Sequence, residues 1–357
     1  MVGDGGEHTI VIARAVETAA GRLAAHMAPT PLVLSPALSD LLAAEVWLKL
    51  ETASEIACFK LRGALNALLA AERPKSAVTS STGNHGQAVA LAARRLGIAA
   101  DIFVPDDPNP VKCRMIELLG GRLHVGGIDI DAAKERARAH AAKTGGTFVD
   151  DGENADLIAG AGTVGLEIGK TLAGIDALYV PMGSGSLASG SAVGLKSVQP
   201  RARVVAVQAA GSPAMVESFH ARRAIERPIA TLADCLVCRV PADLALATLL
   251  ASVDDALLVS DDELTAALHT YVASAHVLVE LGSAAPLAGA WADRARIKGK
   301  RVVLVASGAN VVPGHLARAL KTPPLGAEAG RGTAEMRRGW RGPCAGVSMG
   351  VRVTSDH

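Results

Sequence analysis

The stretch Ala177-Leu178-Tyr179-Val180-Pro181-Met182-Gly183-Ser184-Gly185-Ser186-Leu187 decides the fold. Its first half is a short apolar run of strand length, as expected for a strand covered on both faces. A Gly/Ser turn follows, and Ser189 to Lys196 then reads as a helix. Such a turn aims backbone N–H groups and a helix N-terminus at one point, where a phosphate or another anion binds. Taken alone, it also describes a tight turn with no ligand. A dinucleotide fold would have glycine where Ala188 stands, and an acid about twenty residues on, where the chain offers Val207-Gln208. The neutral amide argues against ribose recognition and favours a phosphate monoester over a pyrophosphate.

Outward from this unit the same alternation repeats. Ala77 to Ser81 reads as a strand, Gly86 to Leu96 as a helix and Asp101 to Val104 as a strand. Val111 to Leu119 is helical, Arg122 to Val125 extended, Asp131 to Lys143 helical and Thr147 to Val149 extended. On the other side lie a helix over Thr163 to Leu172 and strands over Arg203 to Val207 and Arg301 to Ala306. Short strands separated by helices imply mostly parallel sheets covered on both faces, two α/β layers meeting in a cleft. A first helix over residues 10 to 27 ends at Ala28-Pro29-Thr30-Pro31-Leu32, where proline geometry forces an extended path. Residues 321–357 are rich in Gly, Arg and small residues without apolar periodicity, and read as a disordered tail.

Composition narrows the function. Half of the 357 residues are hydrophobic, enough for a substantial core, and 36 Lys plus Arg stand against 35 Asp plus Glu. A net charge of +1 offers no field for nucleic acid or anionic lipid, so the expected partner is a small molecule. Four Phe, three Trp and two Tyr leave little for stacking on bases. Five cysteines, an odd number, fit a reducing cytoplasm better than a disulfide framework. The Cys235/Cys238 pair has no second CxxC or suitably spaced His, and reads as two small apolar residues near a strand. Asp4 and Glu7 argue against a secretory signal, and the most apolar stretch, Val272 to Ala292, is interrupted by His276, Glu280 and Pro286.

Two further motifs carry chemistry. Cys58-Phe59-Lys60-Leu61-Arg62-Gly63-Ala64 places a lysine at an apolar helix start; most lysines reach water, but a buried one loses its proton readily and condenses with carbonyls. Ser80-Ser81-Thr82-Gly83-Asn84-His85-Gly86-Gln87 ends a strand and opens a helix, with N–H, hydroxyl and amide donors suited to a carboxylate or a ring oxygen.

In this order the three motifs resemble the threonine/serine dehydratase and serine racemase family of pyridoxal-phosphate enzymes, with the tryptophan synthase β-like fold (fold type II). The likeness runs from about residue 9 to 320. It includes Thr30-Pro31-Leu32, Leu48-Lys49-Leu50-Glu51, Ile158-Ala159-Gly160-Ala161-Gly162-Thr163, Val259-Ser260-Asp261, Glu280 and Ser307-Gly308-Ala309-Asn310. The resemblance implies two three-layer α/β/α domains with mostly parallel sheets: residues 1–70 with 150–320 as a large cofactor-binding domain, and 71–149 as a small mobile one. It implies that Lys60 carries pyridoxal 5′-phosphate and removes the substrate α-proton, with Phe59 beside it. Gly183, Ser184, Gly185, Ser186 and Leu187 would cradle the phosphate, Asn84 would bond the ring 3′-oxygen, and Ser307 would face the pyridine nitrogen. Ser81, Thr82, Gly83, Asn84 and His85 would hold the substrate carboxylate. Glu280 is either a partnered structural acid or part of the cofactor pocket. A neutral serine at the ring nitrogen weakens the electron sink and favours elimination, so the expected reaction takes a 3-hydroxy amino acid to a 2-oxo acid and ammonia.

Departures shape the alternatives. Family racemases have a serine where Thr82 stands, which makes racemisation the runner-up, with Thr82 as the second acid/base. Cys58 replaces a usual Ser or Ala. Gln208 and Ala214 occupy positions where cation-binding relatives have acids, so no metal is expected. Ala161 replaces a commoner Gln, and Thr52 to Ala57 departs from the usual Gln-Pro-Thr-Gly; both bear on substrate choice, which extends to hydroxyaspartate or phenylserine. From other classes, a non-catalytic amino-acid-binding relative would not need Lys60, and a nicotinamide oxidoreductase is disfavoured by Ala188 and Gln208. Relatives of this size are commonly dimers, so a homodimer is expected.

Overall fold

The computed structural model describes residues 5–72, 74–108 and 110–327. Ten strands are named in chain order: β1 (Leu32–Leu34), β2 (Glu45–Leu50), β3 (Ser76–Ser80), β4 (Ala99–Val104), β5 (Gly121–Val125), β6 (Thr147–Phe148), β7 (Ala177–Pro181), β8 (Arg203–Ala209), β9 (Asp255–Val259) and β10 (Arg301–Ala306). They form a six-stranded sheet in the order β1-β2-β10-β7-β8-β9 and a four-stranded sheet in the order β5-β4-β3-β6. Neighbouring strands are parallel throughout, apart from β1, which pairs antiparallel with β2. The chain thus leaves the larger sheet after β2, builds the smaller one, and returns at β7.

Strand alternation separates two cores on the larger sheet. Tyr179, Val205, Val207 and Leu304 pack on one face, while Leu178, Val180, Val204, Val303 and Val305 pack on the other. The helices that bring the site together are α1 (Gly5–Leu23), α2 (Pro36–Leu42), α3 (Lys60–Ala70), α4 (Asn84–Arg95), α5 (Pro110–Leu118), α6 (Ile130–Thr144), α7 (Ala155–Thr171) and α8 (Ser186–Lys196). On the smaller sheet, Ala77, Ala100, Ile102 and Val104 share a core with Leu61, Leu65 and Leu68 of α3 and Val89 of α4. Val78 and Phe103 turn to the opposite face, against Ala133, Ala137 and Ala141 of α6. Both sheets are therefore covered on two sides, as the sequence pattern requires.

Helices α7 and α8 cross at backbone contact. A Cβ at Gly165 would stand 1.9 Å from the Ser191 carbonyl oxygen, and one at Gly194 would stand 2.2 Å from that of Gly162. This explains a misplaced boundary: the helix read from Thr163 begins at Ala155, capped by Asn154, whose side chain accepts from the Leu157 N–H at 3.0 Å. The glycines that resemble loop in sequence are there to let two helices touch. Helix α8 likewise starts at Ser186 rather than Ser189. Strands β2 and β9, half-buried and short, escaped the reading. The start of the expected tail is packed: the Leu325 N–H donates to Thr270 Oγ1 at 2.9 Å. The remainder, from residue 328, lies outside the described residues.

Beneath Lys60 lies a buried ionic network. Arg62, 1% exposed, donates to Glu51 Oε2 at 2.7 Å, Glu167 Oε1 at 2.6 Å and Thr163 Oγ1 at 3.0 Å. Lys49 Nζ reaches Glu167 at 2.5 Å and the Thr30 carbonyl at 2.8 Å. It joins β2, α3 and α7, and so fixes the helix that begins at Lys60.

Candidate active site

In parallel α/β sheets the crevice outside the carboxyl ends of the strands is where ligands bind. Here the ends of β3, β7 and β10 face a cavity of about 450 Å³. Phe59 and Lys60, the Ser81–His85 turn, the Gly183–Leu187 loop, Glu280 and Ser307 all line it. Every residue that the sequence singled out for the site is thus brought to one place, from segments up to 248 positions apart.

Lys60 is the first residue of α3 and stays largely buried, with 15% of its side chain exposed. Its Nζ lies 5.1 Å from the Phe59 ring centre and pairs with Asp151. The backbone ties this lysine to β10: the Phe59 N–H donates to the Ser307 carbonyl at 2.9 Å, and the Ala309 N–H to that of Ala57 at 2.8 Å. Ala57 itself takes a left-handed conformation, φ 51°. Burial pushes the adjacent Cys58 thiol up, and the Glu280 charge adds to this, so the thiol stays protonated.

Asn84 is held from both sides: its Nδ2 donates to Glu280 Oε1 at 2.7 Å, and its Oδ1 accepts from Asn310 Nδ2 at 2.7 Å. Glu280 is pushed up to about 7 by burial and by the charge of Asp234. Ser307 Oγ lies 2.7 Å from Ser283 Oγ. His85 is buried and held below its ordinary value, chiefly by burial, so the ring is neutral. Its Nε2 sits 3.0 Å from the Val149 carbonyl, which can only accept, so Nε2 carries the proton and the buried, unpartnered Nδ1 is an acceptor.

The Gly183–Leu187 loop is shaped for an anion. Gly185 caps α8 at φ 96°, and a Cβ on it would stand 2.6 Å from Met215 Cε; one on Gly183 would stand 2.8 Å from the Cys235 carbonyl. Only glycine keeps this cradle, which exposes the first-turn N–H groups of α8. Ser184 and Ser186 add hydroxyls 3.4 Å apart. An amine, an N–H cradle at a helix start, and amide and hydroxyl groups around one cavity match the carbonyl, the phosphate and the ring heteroatoms of pyridoxal phosphate.

Sequence reasoning missed three groups. Asp151 follows β6 in an acidic turn and gave no pattern; burial works to raise its pKa, but the charge of Lys60 and bonds from Lys60 and Ser186 hold it well below the usual carboxylate range. Asn310 stood in a quoted motif without a role. Cys235, read as an apolar residue near a strand, lies in a 3-10 turn over Asp234–Leu236 that lines the cavity. Its sulfur and carboxylate oxygens of Asp234 and Glu280 lie within 4.8 Å of one another. Gln208 is structural, accepting from the Val216 N–H at 3.1 Å.

Residues 23–308 match the family model described as pyridoxal-phosphate dependent enzyme. The chain is 36% identical over 288 residues to an L-threonine ammonia-lyase of Thermotoga maritima, covering 79% of this chain and 71% of that protein. It spans about half the length of several plant relatives that it matches. Among solved structures, threonine deaminase isoform 2 of Solanum lycopersicum superposes with a TM-score of 0.83 at 28% identity, covering 90% of this chain and 94% of that one. Maize serine racemase superposes with a TM-score of 0.81 at 28% identity, covering 86% and 96%.

Proposed function

This chain belongs to the pyridoxal-phosphate dependent enzymes, and on that premise we propose that it is an ammonia-lyase that removes water from a 3-hydroxy amino acid to yield a 2-oxo acid and ammonia. The observation that carries the reading is the convergence of Lys60, Asn84, the Gly183–Leu187 cradle and Ser307 on one cavity. Lys60 would hold the cofactor, the glycine loop its phosphate, and Asn84, Glu280 and Ser307 its ring. Pyridoxal phosphate supplies, when bound, the electron sink that makes loss of an α-proton accessible.

The protein's own contribution is placement and proton handling. The Ser81–His85 turn meets the substrate carboxylate with the N–H groups that open α4, where a helix N-terminus favours negative charge. Lys60, across the cavity, receives the α-proton. Neutral His85 offers Nδ1 as an acceptor without adding charge. Thr82, also lining the cavity, supports a second reading, racemisation, in which its hydroxyl handles the proton on the opposite face. Exchange of the α-hydrogen with deuterated solvent, scored with chirality against 2-oxo acid formation, separates the two.

The same proposal includes a homodimer, as the resemblance implies, and a cytoplasmic location, which the free thiols of Cys58, Cys113, Cys235 and Cys238 support. Among the described residues no helix is long and apolar enough to cross a membrane. It also includes closure of residues 71–149, because the Ser81–His85 turn ends a strand of the smaller sheet, while the segment that carries Lys60 is bonded by the Phe59 N–H to Ser307 at the end of β10 and the phosphate cradle follows β7.

A further inference from the structure

Asp151 is a carboxylate that none of the sequence motifs accounts for, and it lies against the reacting groups. One of its oxygens pairs with Lys60 Nζ, and the other accepts from Ser186 Oγ at 2.8 Å. Its side chain is 23% exposed, so solvent screens it weakly. The other charged groups at the cavity have their own partners: Lys112 is paired with Asp234, and Glu280 is bonded to Asn84.

Geometry limits what Asp151 can face. If Lys60 takes the α-proton, the substrate Cα must lie within hydrogen-bond reach of Nζ. A substituent on Cβ is then only two bonds further on, close enough for a carboxylate that already touches Nζ. An ionised carboxylate is acceptor-only, so it pairs with an ammonium or a hydroxyl there and repels a second carboxylate. We propose that Asp151 selects amino acids whose β-substituent is a cation or a hydrogen-bond donor, an ammonium ahead of a hydroxyl, and excludes those with a carboxylate at that position. This rests on the ammonia-lyase reading and names its substrate class.

With a 2,3-diamino acid the chemistry balances without a further reactant than water. The α C–H bond breaks, its proton passing to Lys60, and the Cβ–N bond breaks, its electron pair leaving with the nitrogen as ammonia. Asp151 keeps that nitrogen protonated until it leaves. Hydrolysis of the released enamine consumes one water and frees the second nitrogen, so two ammonia accompany each 2-oxo acid.

The test uses the cofactor-loaded enzyme and its Asp151→Asn and Asp151→Ser variants with L-2,3-diaminopropionate, L-serine and L-threo-3-hydroxyaspartate. Two readouts are taken: kcat/KM from 2-oxo acid release, and binding from the change in the absorbance of the bound cofactor. In the wild type diaminopropionate is favoured over hydroxyaspartate by at least about tenfold, and either variant lowers that ratio by about tenfold or more. Equal or better use of hydroxyaspartate by the wild type, or a ratio that both variants leave within about twofold, overturns the assignment. If no compound yields 2-oxo acid, the ammonia-lyase reading fails, while the binding ranking still decides the role of Asp151.

Discussion

Two residues beside the reacting groups carry their own tests. Ala57 holds φ 51° just before the segment that carries Lys60, a conformation that costs a side chain with a Cβ but not glycine. Ala57→Gly is expected to raise stability by about 0.5–1 kcal/mol in denaturant melts, because relieved strain outweighs the added freedom of the unfolded chain. Glu280 titrates about 7 in the folded protein against an ordinary 4.5. Between these values the folded state binds more protons than the unfolded one, so its contribution is full below pH 4.5 and is lost as pH rises through 7. Over that window the loss amounts to roughly 3 kcal/mol. Glu280→Gln cannot ionise, so its stability relative to wild type should climb by about that amount between pH 4.5 and 8. A constant difference across the range would show that Glu280 does not change charge there. The residues that line the cavity were legible because Lys60, Asn84, Gly183 and Ser307 each stand in a local motif. Asp151 was not, since nothing in Asp150-Asp151-Gly152 reveals which three-dimensional neighbour the carboxylate meets.

Among the elements, α3 matters most, because its first residue is Lys60 and its third is Arg62. The arginine meets Glu51, which is fully buried, and Glu167. Replacing one partner of such a set leaves a buried charge without compensation, at a cost of about 3–5 kcal/mol. Arg62→Met should therefore destabilise the protein by that amount and loosen the cofactor, seen as a lower melting temperature and a weaker visible band at fixed cofactor concentration. A variant with the Glu51→Gln change added should recover part of the loss; no recovery would mean that packing rather than charge dominates. Element boundaries were less legible than element types. The glycine run from Gly160 to Gly165 reads as a loop by propensity, yet it forms the middle of α7 because α8 approaches to backbone contact. Strand β9 escaped for a different reason: its apolar run, Ala256 to Val259, is only four residues long, and a run that short cannot be told from a buried helix segment by periodicity.

For the molecule as a whole, alternation of strands and helices was enough to place both sheets, because parallel strands need helical crossovers and those leave a visible period. What alternation does not show is that β1 turns antiparallel at the edge, since three residues carry too little pattern. The split of the cavity between two sheets leads to a prediction for the proposed closure. Adding a slowly reacting 3-hydroxy amino acid to the loaded enzyme should slow hydrogen exchange in the Ser81–His85 turn and the N-terminal end of α4 more than in β7 and β10; uniform protection would contradict closure of residues 71–149. The proposed elimination is tested by 2-oxo acid release, with added pyridoxal phosphate, across 3-hydroxy amino acids of both stereochemical series, with Lys60→Ala as control. An ammonia-lyase releases 2-oxo acid and ammonia in equal amounts from at least one 3-hydroxy compound, and the variant releases none. Cofactor bound in the wild type with no 2-oxo acid from any compound, or turnover that survives in Lys60→Ala, would contradict the elimination.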